Sequence, residues 1–145
     1  MANSQAMCTS FKGEVMQALH NFTASTGNTF KIALYTSTAT YGAATTVYSA
    51  TNEITNTSGT AYTAGGATLT NITPTTSGTT GFADFADVSW ASASFTANGA
   101  MVYNSTNGNR AVITLAFGGD KVVSSGTFTI VFPTADATNA IIRIA

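Results

Sequence analysis

Charge is what this chain has least of. Lys, Arg, Asp and Glu together make up 8% of its 145 residues, against roughly 25% in ordinary soluble domains. Five basic residues scattered along the chain cannot form a phosphate-binding stripe, which argues against nucleic acid as a partner. Six acidic residues bring the formal net charge to -1, so copies of the chain have little electrostatic means of holding one another apart. That favours association. The single cysteine, Cys8, excludes an intramolecular disulfide and a cysteine zinc site, and it suits folding in a reducing cytoplasm. No run approaches the ~18 apolar residues of a membrane span, so no membrane is expected as a partner. The opening MANSQAMCTSFKGEV lacks the charged start and apolar core of a signal peptide. The Asn-X-Ser/Thr triplets at Asn21, Asn56, Asn71 and Asn104 then read as accidents of an Asn- and Thr-rich composition.

What is present is enough to fold. Hydrophobic residues are 44% and aromatics 10% of the chain, the opposite of a disordered composition. The length suits one domain, 1–145, with residues 1–28 as an N-terminal arm or helix. Phe11, Val15, Leu19 and Phe22 fall on one face of a helix running from Thr9 to about Asn21, with Thr9 or Ser10 as its cap. Gly13 weakens that helix by about 1 kcal/mol.

Beyond it the pattern is strand and turn. Phe30, Ile32 and Leu34 alternate along a half-buried strand ending at Thr36. From Thr38 to Thr80 small and hydroxylic residues dominate, with islands at Val47-Tyr48, Ala61-Tyr62 and Leu69–Ile72. Tyr41, Tyr48 and Tyr62 mark these loops as anchored rather than flexible. Val88 and Trp90 share a face, and Phe95 and Ala100–Tyr103 continue the pattern. Asn107-Gly108 is a strong hairpin signal, returning through Ala111, Ile113, Leu115 and Phe117. Gly118-Gly119-Asp120-Lys121 reads as a further turn. Phe128, Ile130 and Phe132 then face one way, with Thr127, Thr129 and Val131 opposite, until Pro133 stops the strand. Ala140–Ile144 is a last strand tucked into the sheet. Short strands at such intervals, without alternating helices, predict a mainly β protein. The expected architecture is an antiparallel sandwich or barrel with one short N-terminal helix.

Chemistry is sparse. His20, the only histidine, sits beside Leu19 and Phe22 and reads as packed rather than as a general base. A Cys8–His20 nucleophile pair has no diagnostic spacing. Asp84 and Asp87 are the one close carboxylate pair, suited to a cation or a sugar only if they converge. Three apart along a strand, they point to opposite faces instead. Neither Gly65-Gly66 nor Gly118-Gly119 continues into a phosphate loop or nucleophile elbow. No catalytic, cofactor-binding or metal residue is therefore assigned, and no enzyme activity is expected.

Met7–Lys12, Phe30–Thr36, Ala61–Gly66, Phe82–Asp87, Phe117–Lys121 and Asp136–Ala145 resemble segments of a family of small tailed-bacteriophage structural proteins. The resemblance spans almost the whole chain and contains no catalytic signature. It implies a virion protein made in the bacterial host cytoplasm, as a capsid decoration (cement) subunit binding between capsomers. The partners it implies are the major capsid protein or other virion proteins, together with further copies of the chain. A homotrimer is favoured by the three-fold positions of a shell. The alternative is a tail, fibre or baseplate component, for which Tyr41, Tyr48, Tyr62 or Trp90 would line an exposed glycan-binding groove. A small cell-wall hydrolase built on Asp84 and Asp87 is the enzymatic alternative.

Overall fold

The structure is a computed structural model that describes residues 2–145. It is mainly β, with two antiparallel sheets packed in a sandwich-like arrangement and one short helix. The elements run β1 (Ala6–Met7), α1 (Thr9–Met16), β2 (Phe30–Tyr35), β3 (Ala67–Thr68), β4 (Asn71–Ser77), β5 (Thr80–Phe85), β6 (Val88–Asn104), β7 (Arg110–Ile130) and β8 (Ile142–Ile144). The larger sheet has the order β1-β7-β6-β2-β3, and the smaller one β4-β5-β8. Phe30 of β2 and Phe85 of β5 bring the two sheets into contact, their ring centroids 5.6 Å apart. Phe22 stacks on Phe30 at 4.4 Å, and Phe132 meets Phe85 at 5.6 Å. Such pairs add to the burial of their own large apolar area.

The helix is shorter than its apolar spacing predicts, ending at Met16 rather than near Asn21. Ala18 turns left-handed (φ 59). Its N–H donates to the Val15 carbonyl, and that of Leu19 to the Glu14 carbonyl, which closes the helix as a Schellman motif. Cys8 occupies the N-cap position and makes no side-chain cap bond. The Thr9 N–H, which has no partner within the helix, donates to the Ala43 carbonyl in the connection after β2. The N-terminal segment lies against the body: β1 pairs with β7, and Phe11 and Phe22 join the core.

Strand β2 is buried on both faces, not half-buried, because Ala33 and Tyr35 are as inaccessible as Ile32 and Leu34. The long connection 36–66 covers its second face. Asn107-Gly108 does mark the β6–β7 hairpin, with Gly108 and Asn109 both left-handed (φ 67 and 55). Gly118-Gly119 makes no turn between strands. It forms a bulge inside β7, where Ala97 pairs with Lys121 and Gly99 with Ala116. The final apolar residues do join a sheet, as β8 on β5.

Candidate functional site

All six carboxylates accept hydrogen bonds from within the fold. Glu14, on the buried side of α1, receives His20 Nε2 at 2.8 Å and Arg110 Nη1 at 3.0 Å. His20 Nδ1 faces the amide nitrogen of Asn104 at 3.1 Å. With Asn104 donating there, the tautomer assigned by this network carries its proton on Nε2 and donates it to Glu14. Asn104 is inaccessible and also binds Asn28 Oδ1 at 2.9 Å, while its oxygen accepts from the Thr106 and Asn107 N–H groups at 3.1 Å. Both nitrogens of His20 are thus engaged. Burial, helped by the charge of Glu14, pushes the Cys8 thiol up to about 11, so it stays protonated near neutral pH and is a poor nucleophile.

A second hub surrounds Glu53, in the 36–66 connection. Its carboxylate accepts from the Tyr62 hydroxyl at 2.5 Å, the Tyr48 hydroxyl at 2.7 Å and the Gly65 N–H at 2.7 Å. The Tyr62 oxygen in turn accepts from the Leu34 N–H of β2 at 2.9 Å. Tyr103 donates to the Gly65 carbonyl at 2.6 Å, Tyr35 to Ser49 at 2.8 Å and Tyr41 to Thr51 at 2.7 Å. Burial first, then the Glu53 carboxylate, pushes Tyr103 up to about 12. Tyr35, Tyr48 and Tyr62 are raised too, chiefly by burial. The tyrosines anchor the connection, as their interleaving predicts, and they do not line an exposed groove together. Tyr62 and Trp90 are both buried.

Of the remaining acids, Asp84, Asp87 and Asp136 cap backbone, and Asp120 binds a side chain. Asp84 Oδ1 accepts from the Phe85 N–H at 2.8 Å, and its other oxygen from Ile141 at 3.4 Å. Desolvation raises its pKa against those two bonds. Asp87, in the link between β5 and β6, takes the Phe132 N–H at 2.8 Å. Asp136 holds the Thr138 and Asn139 N–H groups, and Asp120 takes the Asn98 amide. Among the described residues no group of three or more His, Cys, Asp or Glu side chains is placed to hold a metal ion.

The accessible features are of another kind. Strand β2 flanks β6 only over Gly99–Asn104, and β1 flanks β7 only at Ile113-Thr114. Past these points β6 and β7 run on as a two-stranded ribbon, Val88–Ala97 against Lys121–Ile130. Beside the outer edge of β7 lies an open groove of about 510 Å³, floored by Leu115, Phe117, Phe128, Ile130 and Phe132. A second apolar groove, between Phe22, Pro74, Phe82 and Ile144, follows the small sheet. Val122 and Val131, at the two ends of the ribbon segment, are each 73% exposed. Sequence reasoning found the low charge but not this surface. Its signal was the uncharged stretch from Val122 to Val131.

These features define a class, a mainly β sandwich-like protein whose polar chemistry is turned inward. No family model matches the chain, and neither a curated protein nor a solved structure does.

Proposed function

We propose that the chain is a non-enzymatic structural subunit of a virion, acting as a capsid decoration (cement) protein. The observation that carries this reading is the division of labour just described. Every carboxylate accepts a hydrogen bond from within the chain, while the outward face of the β6–β7 ribbon and the outer edge of β7 offer hydroxyls, apolar groups and backbone to a neighbour. A general acid or base needs an accessible site with a free proton position, and His20 offers none. A cement subunit needs a stiff body, little self-repulsion and broad contact multiplied over a lattice. The sandwich supplies the first and the scarcity of charge the second. The resemblance to small tailed-bacteriophage structural proteins names the assembly. Its partners are then the major capsid protein and further copies of the chain, and its place is the virion, after synthesis in the host cytoplasm.

The test is the copy number of the chain in purified particles relative to the major shell protein, by quantitative mass spectrometry. A ratio near one, or near a simple fraction set by lattice symmetry, supports the reading. A few copies per particle would sink it and move the protein to the tail, fibre or baseplate.

A further inference from the structure

Among the described residues no strand pairs with the outer edge of β7 beyond β1, and this edge runs on over a long uncharged stretch. Natural edge strands are blunted by brevity, lysine, proline or cover. Here Lys121 opens the stretch and Pro133 follows it, with Val-Val-Ser-Ser-Gly-Thr-Phe-Thr-Ile-Val-Phe in between. Val122, Ser124, Thr127, Thr129 and Val131 are exposed on one face, and Val123, Gly126, Phe128 and Ile130 are half-buried on the other. The change of parity between Val123 and Gly126 comes from a bulge at Ser125. Ala93 pairs with Gly126 and Phe95 with Val123, while Ser125 is left-handed (φ 48) and its N–H turns inward to Ser94 Oγ at 2.8 Å.

We propose that this edge pairs with the same edge of a second copy, antiparallel, about a two-fold axis through Thr127. With Ser125 left out of the ladder in both copies, each residue meets one of its own kind on its own face. Thr127 meets its counterpart, Gly126 meets Phe128, Ser124 meets Thr129, Val123 meets Ile130, and Val122 meets Val131. Gly opposite Phe leaves room for the ring, and the remaining pairs are hydroxyl with hydroxyl or β-branched with β-branched. An antiparallel ladder across a two-fold must place one residue opposite itself. The bulge makes that possible with matching faces, because it removes one residue from an otherwise odd spacing. No like charges meet, since Lys121 of each copy lies beyond the last valine pair. The second copy would also cover the groove beside Phe128 and Ile130. The contact is isologous and closes as a dimer, where shell symmetry alone favoured a trimer. It holds whether or not the assembly is a virion.

The charge of two exposed positions tests the register. The full chain, sized by sedimentation velocity at micromolar concentration, is expected to be a dimer. Val122→Lys with Val131→Lys sets like charges opposite one another twice, and association is expected to weaken by more than about a hundredfold. Val122→Lys with Val131→Glu sets opposite charges there and restores the dimer. Equal melting midpoints at low concentration confirm that both variants fold. A wild-type monomer or closed trimer overturns the pairing. A dimer, or its loss, that is indifferent to the sign of the charge at position 131 overturns the register.

Discussion

The body and the ribbon of this molecule solve opposite problems with the same small stock of polar residues. In the body, Glu14 gathers Arg110 from across the chain, Glu53 gathers Tyr48, Tyr62 and Gly65 within the long connection, and the backbone of that connection is tied down by tyrosine hydroxyls. In the ribbon, Ser and Thr side chains face outward, and among the described residues no strand pairs with the outer backbone edge of β7 past β1. Glu14 and Asp84 are the charged side chains buried among the described residues, and each accepts hydrogen bonds there, where an unmet partner would be costly. After Lys121 the sequence carries no charge up to Val131, which leaves that edge open to another chain.

Inserting one methyl group in each region tests the contrast most severely. A Cβ at Gly66 would lie 1.8 Å from the Ile32 carbonyl oxygen and 2.8 Å from Ala33 Cα, at a left-handed φ of 79. The obstacle is the backbone of β2, held between β6 and β3, so it cannot swing aside. Gly66→Ala is expected to cost about 4 kcal/mol or more, read as a collapse of the urea midpoint or a failure to fold.

The Glu53 hub comes next. Glu53→Ala leaves two tyrosine hydroxyls and the Gly65 N–H without their acceptor, an expected loss of about 3 kcal/mol. Amide exchange should speed up through 36–66 while β6 stays protected. The wild type carries a related alkaline signature. An unfolded tyrosine ionises near 10, whereas Tyr103 is held to about 12 and Tyr35, Tyr48 and Tyr62 are raised as well. The folded state therefore binds more protons than the unfolded one over this interval. The stabilisation is complete below about pH 10 and is lost as pH rises through about 12. Ionisation of these four tyrosines should appear together with unfolding; their gradual titration ahead of it, followed residue by residue by NMR, would refute the burial of the hub.

The same methyl in the bulge at the base of the ribbon should matter far less. A Cβ at Gly118 meets nothing within 4 Å, and only its φ of 74 opposes the substitution. Gly118→Ala is expected to cost about 1 kcal/mol. A loss as large as that at Gly66 would mean that the bulge packs against something, and the two regions would not differ as described.

Sequence patterns revealed the parts of this fold that rest on local repetition. Alternation placed β2, the outer half of β7 and the C-terminal strand, and Asn107-Gly108 placed the hairpin. Where one local signal serves two structures, the reading failed: Gly118-Gly119 looks alike as a turn and as a bulge within a strand. The double burial of β2 was hidden because its cover is a connection with no period. The polar hubs were illegible for a plainer reason. Asn104 meets His20 across 84 residues of chain, and Arg110 meets Glu14 across 96, so no spacing could announce them. The uncharged stretch of β7 was visible as composition. Only the position of the Ser125 bulge gave it a register.

The smallest effect lies at the end of α1. Ala18 occupies the left-handed position that closes the helix, where glycine is the usual residue because it has no Cβ to clash. An L-residue there carries about 1–2 kcal/mol of strain, offset in part by the greater chain entropy that glycine would lose on folding. Ala18→Gly should therefore stabilise the protein by about 0.5 kcal/mol, a small rise in melting midpoint. Because Ala18 is exposed and lies in the body, far along the chain from β7, dimerisation should be unchanged. A gain in stability with altered association would mean that the helix end takes part in the contact between copies, and the separation of a closed body from an open ribbon would fail at that point.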